Sequence, residues 1–570
     1  MPALKKAHRR VGVLLGPALC LLAWASGLRA QRVGDPNDVV AADLEVFEAR
    51  RLIGPLPPLQ PLPLPLVKSL LRRVIEHDDA TDTEIARARY LLASISDPLP
   101  HLAIDGEVRT DAWSTSGGPY ALAALDPDWQ LEITDWLSLH SQVRVSVVRL
   151  DDGLRLPAAV GNPEDFIVDN TTIDVGSQRL QLRQISYGGL AAGVVDDEGA
   201  LFFQANLSRH RVGPFYRNGI IMGPQAPVAG EFSVLFQRPL LTAQIALLPL
   251  QATNDVGEGR ASGKYSFYHG LELHPTTWID VGVFETVITG RLELLYLLPA
   301  SAYFHAQGLG GFADNSLVGL TGRVRPLPGL ELKGVFFADD FEFNDTIRGI
   351  LDTKYKFATQ LGASWTPVST WRELPFVEAL RLVTLDYTAI MPYVFSHLNQ
   401  GEPGSFNGGN YTNGGQPMGA ALDPNSDRLE ARALWRVAQE QALVVDVETR
   451  GAMIRHGNAS AGIIDGADGS IFDPGYIGTT PTFQPPFEDP TGQPFTRFLT
   501  QDVIETTWQA GLSARVTLQT GSADGEQHRR GWGSPSAGVD LTWQWQENAG
   551  LQAGARRGAL FLGGTLAWRY

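Results

Sequence analysis

The chain has 570 residues, with 46 Lys+Arg against 62 Asp+Glu, a formal charge of −16. That sign disfavours polyanionic partners such as nucleic acid or a bare anionic bilayer surface. The only cysteine is Cys20, so a chain trimmed beyond it has neither a disulfide nor a thiolate metal site.

Residues 1–30 read as an export signal. Lys5, Lys6, Arg9 and Arg10 form a basic start, and Val11 to Ala25 is apolar. Ala30 is the small residue of a cleavage site, leaving Gln31 as the new N-terminus. The apolar run is too short for a retained membrane helix, and Leu19 is not the small residue that a lipoprotein site places before its cysteine. Cleavage would remove five basic residues (Lys5, Lys6, Arg9, Arg10, Arg29) and no acid, leaving 41 against 62, or −21.

Residues 31–98 read as a helical segment around a proline-rich connector. Asn37 can cap a helix whose Val40, Leu44 and Phe47 share one stripe, with Gly54-Pro55 ending it. Pro55, Pro57, Pro58, Pro61, Pro63 and Pro65 impose an extended connector, because each ring fixes φ and removes an amide donor. Val67, Leu70, Leu71, Val74 and Ile75 form one helix face, and Thr81 with Glu84 makes a capping box for a third helix reaching about Ile95. Three short helices bury little core alone, so they need a larger body to pack on, and the end of a barrel is the surface available.

From residue 99 to 570 the period is two. Leu137, Leu139, Val143, Val145 and Val147 alternate with polar neighbours, His140 and Arg144 among them. Leu512 to Leu518 and Leu541 to Trp545 repeat the pattern. Several runs approach the ~9–11 residues that a membrane strand needs, longer than the ~5–6 of soluble sheets. No later segment has the ~18 consecutive apolar residues of a membrane helix. The mean hydropathy of −0.07 suits strands that alternate between lipid and lumen. Glycine, at 60 of 570, is above the usual ~7 %. Leu560, Leu562, Leu566, Trp568 and Tyr570 share one face of a last strand, and Trp568 and Tyr570 resemble the terminal signal that barrel-insertion machinery reads. The expectation is an antiparallel transmembrane β-barrel in an outer membrane, with short connections such as Glu547 to Gly550 on the periplasmic rim and long loops outside.

Catalytic signatures are missing: there is no G-x-S-x-G elbow, no HExxH and no P-loop. No cofactor or metal is expected. His269, Glu272 and His274 invite a metal reading, but on a strand His269 faces away from the other two, and polar lumen lining fits all three better. Asp339-Asp340 with Glu342 reads as a solvated rim. The longest loops are residues 397–427 and 453–500. In the first, Phe406, Asn410, Tyr411, Asn413 and Gln416 combine aromatic faces with amides, the combination a sugar ring needs. The same composition also suits a loop folded on itself.

Two stretches resemble the Wzi-type capsule-assembly family of outer-membrane proteins. One runs Tyr265-Ser-Phe-Tyr-His269-Gly-Leu-Glu272-Leu-His274-Pro275, then Trp278 to Thr286, Tyr296 to Pro299, Asp314-Asn315 and Ala338 to Asp340. The other holds Tyr393, His397, Asn410 to Asn413, Gln416 to Gly419 and Pro424 to Asp427. The resemblance implies an even-numbered barrel of about 18 strands, a periplasmic helical domain, and a role in holding surface polysaccharide. On that implication the partners are a polysaccharide, contacted by Asn410, Tyr411, Asn413 and Gln416, and the lipid bilayer. The alternative is a porin for passive diffusion of small solutes, which requires an open lumen.

Overall fold

The computed structural model describes residues 39–96, 101–113, 120–134, 136–150, 171–175, 178–196, 198–215, 217–252, 263–298, 303, 306, 314–339, 356–368, 377, 379–392, 394–395, 409–414, 416–440, 443–457, 498–518 and 534–569. The export signal, Asn37, Asp340, Glu342, Tyr393, His397, Phe406, most of the loop 453–500 and Tyr570 lie outside them.

Alternation of apolar and polar residues builds a closed antiparallel barrel of 18 strands. Its wall runs from His101–Asp111 to Arg556–Arg569, and those two strands close it, with Ala103 opposite Arg569. Closure removes the open edges whose backbone groups would face hydrocarbon unpaired. The two faces separate cleanly. Along Ile279–Thr289, Val281 and Val283 are exposed while Asp280, Phe284, Thr286 and Ile288 are buried. The exposed residues join Leu271, Leu320, Leu361, Leu512 and Leu566 in an apolar outer belt. On Leu137–Leu150 the expected sides hold: Val145 and Val147 face outward, while Arg144 points inward to pair with Asp105 at 2.9 Å and Asp126 at 3.1 Å.

Two-residue connections such as Arg238 to Leu241, Thr276 to Ile279 and Leu327 to Leu330 lie on the rim where the first strand begins and the last strand ends. In outer-membrane barrels that is the periplasmic rim. The connection from Glu547 to Arg556 sits on the opposite rim, contrary to expectation. Strand direction decides this: Arg556–Arg569 must run toward the closing end beside Ala103, so the connection preceding it is extracellular however short it is.

Three helices precede the wall: α1 (Val39–Ala49), α2 (Leu64–Glu76) and α3 (Asp82–Ser96). The α1 helix stops before Gly54-Pro55, because Arg51 adopts a left-handed φ of 60° and the Leu52 amide turns back to the Phe47 carbonyl at 2.9 Å. The capping box of α3 forms, with the Thr81 amide donating to Glu84 at 2.9 Å and the Glu84 amide to the Thr81 hydroxyl at 3.3 Å. The apolar stripes of all three helices share one core with Ala191, Ala200, Phe202 and Leu235, which point inward from the wall. The helices therefore complete their core with the periplasmic end of the barrel.

Candidate functional site

Charge fastens the helical segment inside the wall. Glu48 of α1 receives Arg323 at 2.6 Å, and Arg323 also grips Glu272 at 2.7 Å. Arg325 bridges Asp280 at 2.7 Å and Glu331 at 2.9 Å, and His274 contacts Asp280 at 2.8 Å. Glu272 and His274 are thus members of a buried ion-pair lattice. Burying such charges is costly unless each is paired, and here they are. His269 is not part of the lumen lining, since it shares the outward parity of Leu271 and Leu273. In α1, burial would push the Asp43 carboxyl up, but Arg381 and Arg87 override it and hold the group below the usual carboxylate range.

Above the helices, the proline-rich connector climbs into the lumen. Leu59–Gln60 pairs antiparallel with Arg211–Val212, part of a chain segment that leaves the wall after Ser208 and folds inward. Gln244 clamps this ribbon from the wall, accepting the Leu59 amide at 2.7 Å and donating to its carbonyl at 3.2 Å. Gly213, at φ 104°, supplies the left-handed bend next to it and donates to the Pro58 carbonyl at 3.0 Å.

The outward loop folds down to meet that segment. The Gly223 amide donates to the Met418 carbonyl at 2.9 Å, and Phe215, Ile220, Ile221, Tyr411, Met418 and Leu422 share one core with inward wall residues. The described ends of the long loop 391–425 and the segment 209–228 therefore form an inner plug.

This placement changes the reading of the sugar-contact candidates. Tyr411 is 1 % exposed, its ring stacked on Phe395 at 5.5 Å and met edge-on by Phe337 at 5.8 Å. Tyr411 therefore has no open ring face for a sugar. The Asn413 side chain accepts the Gln251 amide at 2.8 Å and donates to the Val228 carbonyl at 3.0 Å. Asn410 is buried as well, and only Gln416 is half-exposed, across a two-residue ribbon from Asn413. Asp339 is buried too, accepting the Phe395 amide at 2.8 Å, so it belongs to the plug and not to a solvated rim. The described residues of the loop, 409–414 and 416–427, fold on one another and on the wall, the other possibility that its composition left open.

The lumen is not filled evenly. Among the described residues, the inward wall of Ile504–Leu518 and Ser534–Glu547 leaves Arg515 and Asp540 open to solvent, while that of Ala229–Ile390 is packed. Sequence reasoning missed the inner segment 209–228, whose Phe215 and Ile220 to Met222 break the alternation.

A scan against family models finds no match, and neither does a search of curated protein sequences. Solved structures do match. Wzi from Escherichia coli, an outer-membrane protein involved in group 1 capsule assembly and described as a carbohydrate-binding β-barrel, aligns at TM-score 0.51 and 13 % identity, over 95 % of this chain and 99 % of its own. OprD from Pseudomonas aeruginosa aligns at TM-score 0.39 and 9 % identity, over 83 % of this chain and 94 % of its own. With its closed wall, apolar outer belt and polar lumen, the chain is an outer-membrane β-barrel of 18 strands with the fold of the Wzi-type capsule-assembly protein.

Proposed function

We propose that this barrel binds and retains surface polysaccharide. The observation that carries the reading is the inner plug. The connector of the helical segment, from one end, meets the inner segment 209–228 through the Leu59–Val212 pairing, and the outward loop joins that segment through the Met418–Gly223 contact. A wall so occupied serves to present loops at the cell surface better than to pass solutes. The carbohydrate-binding character of Wzi supports the ligand class. In this reading Asn410, Tyr411 and Asn413 shape the loop from below, and Gln416, the half-exposed member of that group, contacts the polymer. Single contacts would be weak, at ~0.5–1.5 kcal/mol per exposed hydrogen bond, and retention would come from many barrels on one long polymer. The test is whether the purified protein carries a defined polysaccharide and whether cells lacking it shed that polymer. The porin reading rests on the solvent-lined sector near Arg515 and Asp540, and ion conductance in planar bilayers decides it.

A further inference from the structure

We propose that the segment 290–298, with Tyr303 and Ala306, is a strap lying on the outside of the barrel, and that its leucines insert into the acyl region of the outer leaflet. Strand parity carries the first step. On Gly263–Thr276 the outward positions are Tyr265, Phe267, His269, Leu271 and Leu273, and on Ile279–Thr289 they are Val281, Val283, Glu285 and Val287. Leu271, Leu273, Val281 and Val283 are exposed members of the apolar belt, yet Phe267 and Val287, higher on the same face, are fully buried. Tyr296, Tyr303 and Ala306 bury them, in a core that also includes Leu247 and Tyr265.

The contacts are specific. The Tyr303 amide donates to Glu285 at 2.8 Å, and its ring lies on His269 at 4.2 Å between centroids. Tyr296 packs on Phe267 at 5.2 Å and donates its hydroxyl to Asp314 at 2.8 Å. The strap therefore covers two polar side chains, His269 and Glu285, that would otherwise face hydrocarbon directly above Leu271 and Val283. A polar group in that position is costly unless protein shields it.

The other surface of the strap carries leucines, with Glu293 turned back to accept the Leu295 amide at 3.4 Å and facing Arg291 at 3.9 Å. Leu292, Leu294, Leu295 and Leu298 are exposed, Leu294 at 65 %. They lie on the outer side of the two strands whose lower outward positions, Leu271, Leu273, Val281 and Val283, belong to the belt, and this argues for lipid as the occupant. Their backbone turns over Leu294–Leu297 as a short 3-10 helix, in which the Tyr296 and Leu298 amides donate to the Glu293 and Leu295 carbonyls at 3.2 and 3.3 Å, the kind of internal pairing a lipid-facing segment needs. Arg291, 3.5 Å from Asp314, marks the edge nearer the headgroups.

The test is nitroxide accessibility at single cysteines in the otherwise cysteine-free mature chain, with the full protein reconstituted in phosphatidylcholine–phosphatidylglycerol vesicles. A label at Leu294→Cys is expected to behave like one at Val283→Cys in the belt, open to oxygen and shielded from an aqueous nickel chelate. A label at Glu198→Cys, on an exposed two-residue turn, gives the opposite pattern. Chelate access at Leu294 equal to that at Glu198 would overturn the proposal by making the segment an aqueous loop. Protection from both reagents would overturn it in favour of a protein partner or a second copy. If Leu294→Cys does not fold, Leu292→Cys reads the same surface.

Discussion

The Tyr411 hydroxyl donates to the Ile221 carbonyl at 2.6 Å, joining two loops that lie 190 residues apart in the chain. This bond and the ring stack on Phe395 hold the outward loop inside the wall, so Tyr411 acts from beneath the surface it was expected to form. Tyr411→Phe should cost ~0.5–1.5 kcal/mol. Tyr411→Ala should cost ~3–5 kcal/mol locally and loosen the plug while the wall stays intact. Hydrogen exchange at Ile221 and Met418 reads this directly, with exchange expected to rise while heat-modifiable gel migration is unchanged. Unaltered exchange in Tyr411→Ala would mean the plug is held elsewhere.

The two faces of Leu137–Leu150 give a paired test. Val143→Arg places a cation on the lipid side and should cost ~2–4 kcal/mol near the bilayer midplane. Arg144→Gln removes a lumen-side ion pair with Asp105 and Asp126 and should leave insertion intact. Refolding yield into vesicles measures both, and equal yields would mean that the faces are reversed or the strand is outside the membrane.

Acid should release the helical segment before the wall. Burial opposes ionisation of Asp43 and Glu84, but Arg381 and Arg87 in one case and Arg50 in the other lower both carboxyls from their ordinary values of 3.8 and 4.5. A carboxyl lowered on folding stabilises fully above its unfolded value, and that stability is lost as pH falls through the folded one. Limited proteolysis between residues 76 and 82 should therefore stay slow from pH 7 to about 5 and accelerate below about pH 4. Cleavage that is independent of pH across this window would show that the ion pairs do not hold the segment.

The wall was legible because alternation is a local pattern: Leu541, Trp543 and Trp545 face lipid and Thr542 and Gln544 face the lumen, as their spacing says. The stripe on α2 was legible for the same reason. What could not be read is anything set by closure or by chain return. The rim of the Glu547–Arg556 connection depends on which way the last strand runs, and its length carries no trace of that. The inward fate of Tyr411 and the outward position of Tyr303 depend on partners such as Ile221 and Glu285, and the loops between them have no period.

In planar bilayers the plugged barrel should give little steady ion conductance, and Tyr411→Ala should raise it. Large, stable openings in the unaltered protein would instead favour diffusion along the solvent-lined wall near Arg515 and Asp540.

The central claim is retention of polymer, and the most direct measurement is the partition of surface polysaccharide between cells and medium in a strain lacking this protein. Total polymer should be unchanged, with most of it released to the medium, and restoring the barrel should return it to the cells. Polymer that stays on cells without the barrel, in the same amount as before, would contradict the account.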